Sequence, residues 1–214
     1  MPTVMIIGAS RGIGLEFARQ YAEAGWTVLA TTRTPSEPGQ LGDLTGDICL
    51  FELDVVNPEH IEKLVASLTG TPIDVLIHNS GIAVGDPWDY MEAVNVVAPR
   101  VITQALTPNV QISEQKKIAI IGSGAGRLSA GDDIHPYGKS KRMLHAEFRE
   151  RAPAWKKLGI KAIVFGPGRV KTDMTRHQGI EAEDSIGGMR EVLDKLTWDQ
   201  HGTFISYTGE ERDW

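Results

Sequence analysis

The start of the chain constrains the fold most, because a short apolar segment runs into a glycine-rich turn and then into an amphipathic stretch. Residues 3–8 read Thr-Val-Met-Ile-Ile-Gly, and Gly8, Gly12 and Gly14 follow a Gly-x-x-x-Gly-x-Gly spacing. In such a strand–turn–helix unit the first glycine permits the turn, the second lets the backbone approach a pyrophosphate, and the third allows close helix packing. Amide groups at the N-terminus of the following helix then face the negative charge. The sequence predicts a dinucleotide-binding turn, with a merely tight turn as the alternative.

The rest of the chain repeats this alternation of short apolar runs and amphipathic stretches, which is typical of a parallel sheet with helices on both faces. We expect one doubly wound α/β domain of the Rossmann type over residues 1–214, built on a parallel seven-stranded sheet. Pro99 and Pro108 predict a bend in the longest central helix. The predicted strands cover 3–8, 27–32, 48–53, 73–77, 117–122, 160–165 and 203–207, and the predicted helices cover 13–24, 58–68, 88–110, 137–157 and 185–196.

Composition narrows the classes of function. With 214 residues, of which 41% are hydrophobic, the chain suits one buried core and is too short for two ordinary domains. Its net charge of −6 offers no basic patch for nucleic acid. Cys49 is the single cysteine, so it forms no internal disulfide; its apolar neighbours predict a buried strand residue, and no Cys/His cluster predicts a metal site. The N-terminus enters a strand at once, which predicts a cytoplasmic protein with no membrane partner.

A tyrosine and a lysine with helical spacing indicate catalysis. Tyr137 and Lys141 are four residues apart, which places them on one face of a helix with Cβ atoms about 5–6 Å apart. An ammonium beside a phenol stabilises the phenolate and lowers the tyrosine pKa from its usual value of about 10. This spacing alone is common on solvated helices. Ser123, which follows the apolar run 118–121, and the glycine motif make the combination specific.

These motifs resemble those of the short-chain dehydrogenase/reductase family, and they occur in the family's order over nearly the whole chain. The compact length and segment 203–214 are most similar to the carbonyl-reductase subgroup that includes the C-factor and sniffer proteins. The resemblance implies an NAD(P)-dependent oxidoreductase that reduces a ketone or aldehyde by hydride transfer, or oxidises an alcohol in reverse. The matching segments are Gly8-x-x-x-Gly12-x-Gly14, Asp54-Val55, His78-Asn-Ser-Gly81, Asn95, Ser123, Tyr137-x-x-x-Lys141 and Pro167-Gly-Arg-Val-Lys-Thr172.

The expected catalytic set is Tyr137, Lys141, Ser123 and Asn95. Tyr137 would be the general acid in reduction and the base in oxidation, within hydrogen-bond reach of the substrate oxygen. Ser123 would bond the same oxygen, so that both hydroxyls stabilise the negative charge that develops there. By resemblance, Lys141 binds the nicotinamide ribose, Asn95 orders a water beside it, and Gly122 stands where the family often has another serine. The alternatives are a flexible turn for Ser123 and a backbone-bonded helix residue for Asn95.

The end of the second predicted strand indicates which cofactor is preferred. NAD-binding proteins normally place a carboxylate here, which accepts hydrogen bonds from the adenosine ribose. Thr32 occupies that place and Arg33 follows it. A guanidinium suits a 2′-phosphate, and Arg11 and Ser10 in the glycine turn offer a second positive charge and a hydroxyl. We expect NADP(H) to be preferred over NAD(H), with two solvated arginines as the alternative.

The remaining cofactor contacts rest on the resemblance. Asp54 and Val55 match an adenine contact, although a helix N-cap is an alternative role for Asp54. Thr172 matches the residue that bonds the nicotinamide carboxamide, and Thr175 competes with it for that role. His78 departs from the family's motif and is interpreted as structural. The other expected cofactor residues are Ile13, Asn79, Ser80, Gly81, Tyr137, Lys141, Pro167, Gly168 and Val170.

The substrate pocket is expected at segments 84–88, 124–135 and 168–184. Their side chains mix apolar and charged groups and name no substrate beyond a small carbonyl compound or alcohol. His135, two residues before Tyr137, is expected at the rim rather than in the chemistry.

Two further expectations concern partners and the class of function. Helices 88–110 and 137–157 pair subunits in many members of the family, which predicts a homodimer or homotetramer, with a monomer as the alternative. A non-catalytic NADP-binding sensor or a C-factor-like signalling protein is the alternative to an enzyme. The intact Asn-Ser-Tyr-Lys set argues for the enzyme, because a protein that only binds the cofactor does not need a phenol with a tuned pKa.

Overall fold

A single sheet organises the fold, in a computed structural model that describes residues 1–83, 85–131 and 135–214 and, of Ala130, only the backbone. Its strands are β1 (Thr3–Ile7), β2 (Thr27–Thr32), β3 (Ile48–Glu52), β4 (Val75–His78), β5 (Lys117–Ile121), β6 (Lys161–Gly166), β7 (Phe204–Ser206) and β8 (Glu211–Arg212). Their order in space is β3-β2-β1-β4-β5-β6-β7-β8. Neighbouring strands from β3 to β7 are parallel, and β8 runs antiparallel to β7.

The helices cover both faces of this sheet, as expected. They are α1 (Gly12–Glu23), α2 (Pro58–Ser67), α3 (Trp88–Glu92), α4 (Ala98–Ala105), α5 (Thr107–Gln111), α6 (Pro136–Lys157) and α7 (Ala182–Asp194). A π-helical turn, Ala93–Val97, joins α3 to α4. Pro99 has no N–H to donate to the carbonyl of residue 95, and the helix widens just before it. The predicted helix 88–110 is thus interrupted twice, since α4 and α5 are separate.

The alternation of side chains in β1 explains the two layers of core. Val4 and Ile6 pack on one face with Phe17 of α1 and Met189 of α7. Met5 and Ile7 pack on the other face, in a cluster that includes Ile102 of α4 and Leu144, Phe148 and Trp155 of α6. Successive strand residues point to opposite faces, so one continuous apolar run supplies both clusters.

Two expectations differ from the structure at the edges of the sheet. The sheet has an eighth strand beyond the predicted seven, because the chain reverses after β7 at Gly209, whose φ is 86°, and pairs back on it. Cys49 is exposed and not buried, since β3 is an edge strand and one of its faces is left partly uncovered. The hydrophobic neighbours of Cys49 are all half-buried; they are Ile48, Leu50 and Phe51.

The order of the strands places a crevice beside β1. The chain runs from β1 outward to β2 and β3, and then returns to the other side of β1 with β4. At such a reversal the loops after neighbouring strands separate, and ligands of doubly wound sheets bind there. The loops that follow β1 and β4 both carry predicted site residues. Among the described residues, no helix is long and apolar enough to cross a membrane.

Candidate functional site

The glycine turn after β1 is built as its spacing predicts. Gly8 has a φ of 85°, and a Cβ there would lie 2.3 Å from the Ser80 hydroxyl oxygen. A Cβ on Gly14 would lie 2.0 Å from the Gly8 carbonyl oxygen, so only glycine lets α1 approach the turn. Thr31 Oγ1 accepts a hydrogen bond from the Gly8 amide at 2.8 Å, and Asn79 Nδ2 donates to the Gly8 carbonyl at 2.8 Å. Neighbouring strands therefore hold the turn from both sides.

The N-terminus of α1 opens onto this turn. Arg11 is the N-cap residue, and its side chain makes no capping bond, which leaves the first amides of α1 available to a ligand. Ser10 and Arg11 are exposed, and Ile13 is half-buried. Arg11 Nη1 lies 3.5 Å from Asp173 Oδ2, and His177 Nε2 lies 3.2 Å from the other oxygen of that carboxylate. These exposed contacts link the glycine turn to the loop after β6.

The end of β2 presents a positive charge to solvent. Thr32 is buried, and its hydroxyl accepts a weak bond from the Thr34 amide at 3.4 Å. Arg33 is exposed beyond it, and within the described part of the chain no carboxylate forms an ion pair with this guanidinium. Its charge is therefore free to meet an anionic ligand at this edge of the crevice.

Asp54 lies beyond β3, where the alternative role of helix cap is not observed. Asn57 is the N-cap of α2, and its side chain accepts bonds from the amides of Glu59 and His60. The Asp54 carboxylate accepts from the Val56 amide at 3.2 Å, while the Asp54 amide donates to His60 Nδ1 at 3.1 Å. Asp54 thus shapes the loop between β3 and α2. Val55, half-buried, packs against the core.

Tyr137 and Ser123 come together from different elements. Tyr137 lies in the first turn of α6, and Ser123 follows β5 as the N-cap of the 3-10 turn Gly124–Gly126, where its hydroxyl accepts from the Ala125 amide. Burial raises the pKa of the Tyr137 phenol, and the nearby Ser123 hydroxyl lowers it in partial compensation. The expectation that Lys141 lowers the tyrosine pKa is therefore not met, because desolvation is the larger effect.

Lys141 is deeply buried one helical turn from Tyr137. Its Nζ lies 5.9 Å from the Tyr137 ring centroid and donates to the Ile121 carbonyl oxygen at 3.0 Å. Burial lowers the pKa of Lys141 to about 8, so the amine is mostly charged at neutral pH. His78, at the end of β4, is also buried, and desolvation followed by the charge of Lys141 lowers its pKa to about 3. A neutral His78 is consistent with the structural role expected for it.

Asn95 is fully buried in the π-helical turn, and its side chain leaves its own helix. Its Oδ1 accepts from the Ile82 amide and its Nδ2 donates to the Ile82 carbonyl, both at 2.9 Å. Nδ2 also reaches Ser140 Oγ at 3.0 Å. A Cβ on Gly81 would lie 3.3 Å from Asn95 Oδ1 and 3.4 Å from Lys141 Nζ. Asn95 is therefore bonded to backbone, as its alternative role states. The backbone belongs to the loop after β4, so these bonds fix that loop beside Lys141.

The loop after β6 packs over the glycine turn. A Cβ on Gly12 would lie 3.1 Å from Thr172 Cγ2. The Thr175 hydroxyl lies 2.5 Å from the Val170 carbonyl and accepts from the Thr172 amide at 3.1 Å, so it is occupied within the loop. The Thr172 hydroxyl lies 3.5 Å from the same carbonyl, so it is held there more weakly than the hydroxyl of Thr175. Gly168 is exposed nearby with a φ of 81°.

Three residues behind the site escape the sequence interpretation. Thr31 holds the glycine turn, Ser140 donates to the Tyr137 carbonyl at 2.8 Å, and Ser185 of α7 donates to the Pro167 carbonyl at 2.7 Å. Thr31 and Ser185 act between elements that are far apart in sequence, and Ser140, besides its bond within α6, accepts from Asn95 Nδ2 at 3.0 Å. Ser140 alone carried a signal, since it lies between Tyr137 and Lys141.

His135 caps α6, because its Nδ1 accepts from the Tyr137 amide at 3.3 Å. The contact is exposed, as expected for a residue at the pocket rim, and the imidazole serves as a helix cap. Val84, Asp132 and Asp133, which belong to the expected pocket, lie outside the described residues. Within the described residues, no cluster of three or more His, Cys, Asp or Glu side chains could hold a metal ion.

Comparison with known proteins identifies relatives of this chain. A family model described as short chain dehydrogenase matches residues 2–183. C-signal of Myxococcus xanthus is 31% identical over 156 residues, which cover 67% of this chain and 93% of the relative.

Solved structures extend the similarity to the whole chain. The NADPH-bound carbonyl reductase from chicken fatty liver superposes with a TM-score of 0.88 at 28% identity, covering 100% of this chain and 99% of the other. The carbonyl reductase Sniffer of D. melanogaster superposes with a TM-score of 0.89 at 24% identity over 100% of both chains, and this likeness concerns the fold alone.

Proposed function

Because the chain belongs to the short-chain dehydrogenase/reductase family of oxidoreductases, we propose that it reduces a ketone or aldehyde with NADPH, and oxidises the alcohol in reverse. The observation that carries the proposal is the meeting of Tyr137, Ser123 and Lys141 at the carboxyl ends of β4 and β5, next to the glycine turn. The chicken carbonyl reductase, described as NADPH-bound, supports both the activity and the cofactor.

The glycine turn fits the pyrophosphate of such a cofactor. Side chains at Gly8 and Gly14 are excluded by contacts of 2.3 Å and 2.0 Å, so the backbone is bare where the phosphates would approach. The first amides of α1 would bind the phosphate oxygens. Arg33 and Arg11 would hold the 2′-phosphate, and Thr172 would bond the nicotinamide carboxamide.

The side chains divide the remaining work between proton transfer and charge stabilisation. When bound, NADPH supplies the hydride that goes to the carbonyl carbon. Tyr137 donates its phenolic proton to the carbonyl oxygen, and its raised pKa keeps it protonated at neutral pH, as a general acid requires. Ser123 donates a second hydrogen bond to that oxygen. The Lys141 ammonium stabilises the phenolate that remains.

A turnover assay tests the proposal. The purified protein and its Tyr137→Phe variant are each mixed with NADPH and a panel of ketones and aldehydes, and the loss of NADPH absorbance is followed with product identification by mass spectrometry. We expect at least one compound to be reduced to its alcohol by the wild type and far more slowly by the variant. Cofactor binding without turnover over the whole panel would contradict the proposal.

A second function is a cofactor-binding signalling protein, and the 31% identity to C-signal favours it. Such a protein needs the glycine turn and the arginines, but not the proton chemistry of Tyr137. NADPH binding with no reduction of any compound, together with unchanged binding by Tyr137→Phe, is the result expected from that function.

We further propose that the chain self-associates through α4. Leu144, Phe148 and Trp155 of α6 are in the core and unavailable to a partner. Val97, the last residue of the π-helical turn, and Val101 of α4 lie one turn apart, are each 38% exposed and offer an apolar strip at this face. Light scattering over a range of concentrations tests this, and a monomer mass at every concentration would contradict it.

A further inference from the structure

Helix α6 carries a third side chain in the row of Tyr137 and Lys141. His145 lies four residues beyond Lys141, so the three side chains follow one face of the helix. The His145 ring is 2% exposed. Its centroid lies 4.8 Å from that of Phe204 and 5.6 Å from that of Trp214, and this packing fixes its orientation.

The His145 ring contacts the residue that the proposed chemistry places opposite Tyr137. Its Nε2 accepts a hydrogen bond from the Ser123 backbone amide at 3.4 Å. Gly122 leaves room for the contact, because a Cβ at this position would lie 2.6 Å from Nε2 and 2.5 Å from Val164 Cγ1. The imidazole therefore fills the space that a side chain at position 122 would need.

The protonation state of His145 agrees with an acceptor. Burial, followed by the charge of Lys141, lowers the pKa of His145 to about 3, so the imidazole is neutral at physiological pH. A neutral ring that accepts at Nε2 carries its proton on Nδ1. In the described structure Nδ1 has no hydrogen-bond partner, and the Ser123 amide is the contact that selects the tautomer.

The same helix holds the rest of the loop that begins at Ser123. Arg142 donates to the carbonyl oxygens of Arg127 at 2.9 Å and Gly131 at 2.6 Å. A Cβ on Gly126 would lie 2.7 Å from the Arg142 backbone nitrogen, so the loop packs directly on the helix. Helix α6 thus both carries Tyr137 and Lys141 and fixes the backbone that carries Ser123.

We propose that His145 is a positioning residue, which accepts the Ser123 amide and thereby sets the Ser123 hydroxyl against Tyr137. The inference rests on the proposed carbonyl reduction, in which both hydroxyls must reach one substrate oxygen. A hydroxyl displaced by a fraction of an ångström loses that shared geometry, and small misplacements lower turnover more than binding. His145 itself does not touch the substrate.

Two substitutions separate hydrogen bonding from packing. His145→Gln keeps an amide oxygen near the position of Nε2, whereas His145→Phe keeps a ring between Phe204 and Trp214 and cannot accept. We expect His145→Phe to lower kcat by roughly 10- to 100-fold with the Kd for NADPH nearly unchanged. His145→Gln should recover most of that loss. Equal losses in both variants, or no loss in His145→Phe, would overturn the proposal.

His201 provides a matched control. Its Nδ1 accepts a hydrogen bond from the backbone amide of Ala162 at 3.0 Å. This is the same kind of bond as that of His145, but it lies near the start of β6, whereas Ser123 follows the end of β5. His201→Phe should lower the melting temperature without lowering kcat, because no catalytic loop depends on this contact. A drop in kcat as large as that of His145→Phe would mean that loss of any such bond slows the enzyme.

Measurements that need no turnover test the contact directly. Hydrogen exchange should find the Ser123 amide protected in the wild type and in His145→Gln and exposed in His145→Phe, and nitrogen-15 NMR should find His145 protonated at Nδ1. Equal exchange in all three proteins would overturn the proposal. If the wild type reduces no carbonyl compound, the proposed function fails, and protection by His145 still decides whether this residue fixes the loop.

Discussion

The Lys141 ammonium lies 5.9 Å from the ring centroid of Tyr137, on the same face of α6, and is tied to the carbonyl of Ile121. At this distance the lysine does not overcome the desolvation of the phenol, whose pKa is raised. The pair is therefore set for proton donation from a neutral tyrosine, with the lysine stabilising the phenolate after the proton has left. At neutral pH the phenol is therefore in the protonated form that can donate to a carbonyl oxygen.

Replacing Tyr137 by phenylalanine removes the proton donor and leaves the ring. Carbonyl reduction should fall on the order of 10²–10⁴-fold, while the melting temperature and NADPH binding stay close to those of the wild type. Steady-state kinetics measure the reduction rate, and calorimetry measures the melting temperature and NADPH binding. Tyr21→Phe, which removes a phenol hydroxyl on the other face of the sheet, is the control. Near-normal turnover in Tyr137→Phe would remove Tyr137 from the mechanism.

Replacing Lys141 by methionine should lower both turnover and NADPH affinity, because one ammonium serves the phenolate and the ribose. It should also change the pH dependence of stability. The pKa of Lys141 falls from 10.5 to about 8 on folding, so the unfolded state binds more protons between these values. Wild-type stability should therefore rise relative to that of the variant by up to roughly 3 kcal/mol over this window.

Urea unfolding of Lys141→Met and wild type at pH 7, 8, 9 and 10 measures that difference. A constant gap between the two proteins would show that Lys141 is not desolvated. A loss confined to cofactor binding, with turnover unchanged at saturating NADPH, would show that the lysine does not act on Tyr137.

Replacing Arg33 by aspartate tests the cofactor preference. The variant loses charge-assisted hydrogen bonds of about 1.5–3 kcal/mol to the 2′-phosphate and gains repulsion. Since about 1.4 kcal/mol corresponds to a factor of ten, NADPH affinity should fall at least about ten-fold. NADH affinity should hold or improve, because NADH has no 2′-phosphate. Arg11 remains beside Asp173 and keeps the reversal incomplete.

Calorimetric titration of both cofactors measures the effect of Arg33→Asp. Arg212→Asp, which makes the same charge change on the edge strand β8, is the control and should leave both affinities unchanged. Equal losses for the two cofactors in Arg33→Asp would mean that Arg33 is structural, and tighter NADH than NADPH binding in the wild type would overturn the preference itself.

Acid should destabilise the fold through its buried histidines. The pKa of His78 falls from 6.5 to about 3 on folding, so the unfolded state binds more protons in this window and stability falls as the pH falls. The slope of the unfolding free energy against pH should therefore be smaller in His78→Asn than in the wild type, by up to about 1.4 kcal/mol per pH unit, which corresponds to one proton. Urea unfolding between pH 4 and 7 measures it, and the exposed His177 in His177→Asn is the control. An unchanged slope in His78→Asn would show that the ring protonates in the folded state.

Much of the fold and the site followed from local patterns. The strands, the glycine turn and the Tyr137–Lys141 pair are written in residues close in sequence, where periodicity and spacing determine geometry. The exposure of Cys49 and the eighth strand could not be predicted from local patterns, because they depend on which strands lie at the edges of the sheet. The cap of α2 is Asn57, as the Asn57-Pro58 pair predicts, and not Asp54, because a proline at the first helical position places the cap on the residue before it.

The sequence by itself determined which groups meet at the site, because the order of strands and loops brings the ends of β1, β4 and β5 to one edge of the sheet. Only the tertiary structure decided how those groups behave. The pKa of Tyr137 rises, that of Lys141 falls to about 8, and His145 stays neutral beneath Ser123. Each of these follows from desolvation, which depends on the surrounding side chains that pack from distant parts of the chain and exclude water.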